Sequence, residues 1–155
     1  MQTLVDLLNK EIKAYEQYLE LATRKKQSLI DNDFDQMEAV TIQEKVISTK
    51  ILHLESERHE LLRDEGFNPQ ITVTELIDKV PEEYRDVIKQ TSEELKEVLV
   101  QCKKFNDRNM VLLRQSSTYI NHMIKTFSQH MGGSPATYGK GMNKFESAKI
   151  ADMQG

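Results

Sequence analysis

From Val5 onward, apolar and aromatic residues fall at 5, 8, 12, 15, 19, 22 and 29, with Lys26 as the only break in a three-four spacing. That spacing predicts one amphipathic helix with a single buried stripe over about 2–30. Asp31, Asn32 and Asp33 favour turns and caps, and Asn32 or Asp33 can accept a backbone N–H from a following helix. A tight helical hairpin is expected there. Its second arm runs over about 34–65, with Met37, Val40, Ile47, Ile51, Leu54 and Leu61 on the stripe and Glu44 and Arg58 as polar intruders. Gly66 and Pro69 end it.

Thr72 and Glu75 have the spacing of a capping box, which predicts a short helix over 73–80 and a fresh start at Pro81. The pattern that follows is the most regular in the chain: Tyr84, Ile88, Thr91, Leu95, Val98, Cys102, Phe105, Asn109, Leu112, Ser116, Tyr119 and Met123 alternate by four and three. One long coiled-coil-like helix over 81–130 is predicted. At about 1.5 Å per residue it would reach roughly 75 Å, against about 40 to 48 Å for each arm of the hairpin. Either the short helix covers the remainder, or part of the long helix stays exposed as a place for another chain to dock. Asn109 could fix register between helices, or could face water beyond the end of its partners. The second is expected, because Ser116 follows on the same stripe.

The fold class is therefore all-α: an antiparallel bundle of long helices over 1–131, followed by a flexible tail over 132–155. The segment "GGSPATYGKG" holds four glycines and a proline in ten residues, which reads as a linker. Beyond it stand Met142, Phe145, Ile150 and Met153, too short a stretch to hold a helix alone in water. With Tyr138 they can serve as anchors for a partner, or can fold back over the long helix.

Composition narrows the function. The net charge is −4 with acidic and basic residues interleaved, which argues against nucleic acid. Cys102 is the sole cysteine, so no internal disulfide can form, and a reducing compartment is expected. No signal-like apolar run and no stretch near 20 apolar residues occurs, so a cytoplasmic protein without membrane insertion is expected. Lys50, Ser56, Tyr119 and Phe127 stand three residues before the four histidines, so the Glu-x-x-His pairs of di-iron bundles are missing. Cys102 lies mid-helix on an apolar stripe, where a thiol acts as a small hydrophobe. The glycine cluster lacks phosphate-loop spacing. Neither an enzyme nor a cofactor is expected.

Lys25 or Lys26 before the turn, Asp33 in it, Glu44 after it, and Leu54, Glu55 and Arg58 as a Leu-Glu-x-x-Arg element form a set. With the long last helix and the Tyr-Gly context of Tyr138, this set resembles the FlgN family of flagellar export chaperones. The resemblance covers most of the chain. It implies a type III export chaperone that keeps hook-filament junction proteins soluble and delivers them to the export gate. Leu112, Tyr119, Met123, Phe127, Tyr138, Met142, Phe145, Ile150 and Met153 would then contact the client, with Tyr138 also docking to the gate component. The alternative is a self-associating coiled-coil scaffold. A homodimer of the free protein is compatible with either.

Overall fold

The computed structural model describes residues 1–131, apart from the side chains of Tyr119, Met123 and residues 127–131. The expected tail, with Tyr138, Met142, Phe145, Ile150 and Met153, lies outside the described residues, as do the side chains of Tyr119, Met123 and Phe127. Four helices follow in order: α1 (Gln2–Asp31), α2 (Phe34–Asp64), α3 (Val73–Lys79) and α4 (Glu82–Met131). By compactness the chain divides into Met1–Ser116 and Ser117–Gly155. The first unit is an all-α bundle.

The turn between α1 and α2 divides its work between two neighbours. Asn32 adopts the left-handed conformation at φ 55°, and its N–H and that of Asp33 both reach the Ser28 carbonyl. Asp33 then caps α2, its carboxylate accepting from the Gln36 N–H at 2.9 Å. At the far end of α2, Gly66 takes φ 81°, the Phe67 N–H bonds the Leu62 carbonyl and the Gly66 N–H bonds that of Arg63. These two bonds make a Schellman motif, and the positive φ explains the glycine.

Thr72 and Glu75 close a full capping box on α3. Leu76 of α3 and Val80 just after it join Leu4, Val5, Leu8, Leu62 and Ile88 in one core cluster. The short helix therefore seals the end of the bundle where α4 begins.

α1 buries more of its circumference than either neighbour within the first unit. Its buried positions include Leu4, Val5, Leu7, Leu8, Glu11, Ala14, Tyr15, Ala22, Lys25, Ser28 and Leu29, which is two adjacent stripes instead of the one expected. One side meets α2. As α1 positions rise through Glu11, Tyr15 and Lys25, their α2 partners fall through Arg58, Glu55 and Glu44, so the pair is antiparallel. Another side meets α4. Tyr15, Ala22 and Tyr18 contact Cys102, Asn109 and Asn106 at separations of 87, 87 and 88 residues, so α1 and α4 run parallel.

Asn109 corrects the sequence reading. It is 4% exposed, and its Nδ2 donates to the Ala22 carbonyl at 2.8 Å. The reading failed because α1 reaches further along α4 than the stripe's polar content suggested.

Glu44 and Arg58 turn out to be the outer halves of two ion pairs. Lys25 Nζ meets Glu44 Oε2 at 2.8 Å with both side chains about nine-tenths buried, and Arg58 Nε meets Glu11 Oε1 at 2.9 Å. Removing one partner of a buried pair strands the other charge, whereas removing both leaves ordinary apolar packing. Lys25→Met alone should therefore lose about 3 to 5 kcal/mol of stability in urea unfolding. Lys25→Met combined with Glu44→Leu should recover most of that loss.

Candidate functional site

The residues singled out from sequence divide into two groups once placed. Lys25, Glu44, Glu55 and Arg58 all lie on the α1–α2 interface. Of the two candidate lysines, Lys25 is the one that pairs with Glu44. Glu55 accepts the Tyr15 hydroxyl at 2.6 Å, and Leu54 sits in the core beside Ile51 and Tyr15. Asp33 caps α2. This set builds the hairpin and fixes its register.

Burial and nearby acids push the Tyr15 phenol well above its ordinary pKa. Burial also raises Glu11 above the ordinary carboxylate range, because desolvation outweighs the Arg58 guanidinium that favours its charged form. His59 is lowered, first by desolvation and then by Arg58. These are consequences of packing charges beneath a hairpin.

α4 carries the other group. Its register against α1 sets Asn109 beside Ala22 and so brings Ser116 level with Leu29, the last buried residue of α1. Leu112 is half-buried in this stretch. Further along α4, Ile120 and Ile124 are exposed at 37% and 40%. They are four residues apart and share a helix face, and the three-four stripe read from sequence passes beside them without including them. Their signal was an apolar pair on an otherwise polar flank.

A second surface escaped the sequence reading. Leu21 of α1 and Ile42, Val46 and Ile47 of α2 line an open groove of about 360 Å³, rimmed by Glu20, Arg24, Gln43 and Lys50. Ile42 and Val46 are 60% and 67% exposed. Both lie off the α2 stripe one turn apart, which was the available clue.

Burial pushes the Cys102 thiol up to about 11, and its Sγ contacts the Tyr15 carbonyl at 3.5 Å. His53 is exposed and bonds Glu57, and His122 lies beside Thr126. Among the described residues no three His, Cys, Asp or Glu side chains converge as metal ligands, and no helix is long and apolar enough to cross a membrane.

Because folded Glu11 holds its proton more tightly than the unfolded chain does, this group favours folding at acid pH, and that contribution fades as pH climbs through the raised pKa. Urea midpoints of Glu11→Gln and the wild type, compared upward from the ordinary carboxylate range, should move in the variant's favour. A constant difference would show that Arg58 cancels the desolvation.

A family model described as FlgN protein matches residues 1–144 of the chain. No curated protein and no solved structure matches it.

Proposed function

Because the chain belongs to the FlgN family, a family of flagellar export chaperones, we propose that it binds the helical terminal region of hook-filament junction proteins. It keeps them soluble in the cytoplasm and passes them to the type III export gate. The observation that carries this reading is the inequality of helix lengths: α1 and α2 have 30 and 31 residues and α4 has 50. α1 ends at Asp31, and α4 continues from Ser116 to Met131 with Ile120 and Ile124 exposed.

Junction proteins carry terminal segments that become helical in the assembled filament, and before export their apolar faces need temporary cover. A helix offering an apolar strip supplies that cover by side-by-side packing. In this reading Leu112, Tyr119, Met123 and Phe127 form the strip. Tyr138, Met142, Phe145, Ile150 and Met153 form a foldable arm that gives up part of its binding energy to ordering. A grip of that kind releases readily. Tyr138 contacts the gate.

Deletion of residues 132–155 should leave the helix content of the remainder nearly unchanged and weaken junction-protein binding at least tenfold by calorimetry. Leu112→Asp should remain folded and show a similar loss. Sedimentation with and without a junction protein separates this role from a scaffold. A 1:1 complex supports the chaperone, and a dimer indifferent to the added protein rejects it.

A further inference from the structure

The seam between α1 and α4 changes character along its length. Below Cys102, α4 contributes buried Ile88, Thr91, Val98 and Cys102, with Tyr84, Leu95 and Leu99 packed against the two core clusters. Between 103 and 116 the one buried residue is Asn109, and Phe105, Asn106, Met110, Leu112, Leu113 and Ser116 are half-buried. Polar contacts in this upper stretch include the Tyr18 hydroxyl on Asn106 Oδ1 at 3.2 Å and Asn109 Nδ2 on the Ala22 carbonyl at 2.8 Å.

The second contact is a poor bargain for the closed seam. Ala22 lies inside α1, so its carbonyl is already an acceptor in the helix's own ladder. The other amide atom, Asn109 Oδ1, is buried without a hydrogen-bond partner. Closing the seam therefore desolvates an acceptor and does not replace its water. The half-buried residues around it gain less from closure than the fully buried ones below. Opening would hydrate that oxygen.

The hairpin has ties of its own beside this stretch of α4. At the same level Lys25 is tied to Glu44 of α2, and Leu29 and Val40 are buried near the turn. α1 and α2 can stay together while α4 leaves.

From these observations we infer that the bundle opens locally at the upper α1–α4 seam. Residues 103–116 come away from α1 and unwind there, because a short helical stretch without a packing partner is marginal in water, while residues 82–102 remain docked. The opening is a property of the free chain, and stands whether or not the junction-protein reading does. Its effect is to extend the accessible apolar surface of α4 down through Leu112 and Phe105 and to uncover Ala22 of α1. Asn109 is the latch, and its unsatisfied oxygen keeps that latch weak.

Native-state hydrogen exchange on the full chain, followed by mass spectrometry at low urea, reads this directly. Amides in 103–116 should be about tenfold or more less protected than those in 86–102, with little dependence on urea, while 22–31 and 34–47 keep their protection. Simple fraying from the end of α4 would give the first result too, so the decisive arm is Asn109→Leu. That variant removes the stranded oxygen and keeps the bulk, and should raise protection of 103–116 at least about fivefold. The inference is overturned if 103–116 exchanges in step with 86–102 in the wild type, a result that needs no variant to fold. It is equally overturned if Asn109→Leu leaves 103–116 unchanged.

Discussion

Two charged side chains of α1 are shut away from water, and each has to meet its opposite on α2 for the hairpin to close. Glu11 is 1% exposed beneath Arg58, and Lys25 lies under Glu44. An apolar stripe tolerates sliding by a turn, because one aliphatic contact substitutes for another. A buried charge does not, since a slipped register leaves it alone in a medium of low polarity. The two pairs sit well apart along the hairpin, so together they exclude both sliding and splaying. Tyr15 adds a third tie, its hydroxyl reaching the Glu55 carboxylate between them.

The second interface is held in a different way. α4 meets α1 through apolar clusters near α3 and through polar contacts further up, two of which land on backbone carbonyls of α1, those of Tyr15 and Ala22. Contacts to backbone set a register without needing a complementary side chain. The bundle thus combines one interface fixed by charge with another that loosens toward the top.

The Cys102 thiol is buried and pushed up in pKa, His53 and His122 each contact a neighbour one turn away on their own helix, and His59 is half-buried. The described residues offer a helix longer than its companions, an exposed Ile120 and Ile124, and an open apolar groove between α1 and α2.

The all-α class and the long last helix were legible from periodicity, because a three-four alternation is a local property of a helix that packs on one side. The capping signals at Asp33 and at Thr72 with Glu75 were legible for the same reason, each being a bond between near neighbours. The partnership of Lys25 with Glu44 and of Glu11 with Arg58 was not. Glu44 and Arg58 read as interruptions of the second stripe, and Glu11 and Lys25 lay off the first, until folding brought each to its partner. Asn109 was misread as solvent-facing for a related cause: its partner is a main-chain carbonyl, and a carbonyl has no letter in the sequence. Local hydrogen bonds and helical spacing were decided by the order of residues alone. Which buried charge meets which, and how far α1 reaches along α4, were decided only by tertiary packing, because both depend on distances between segments far apart in the chain.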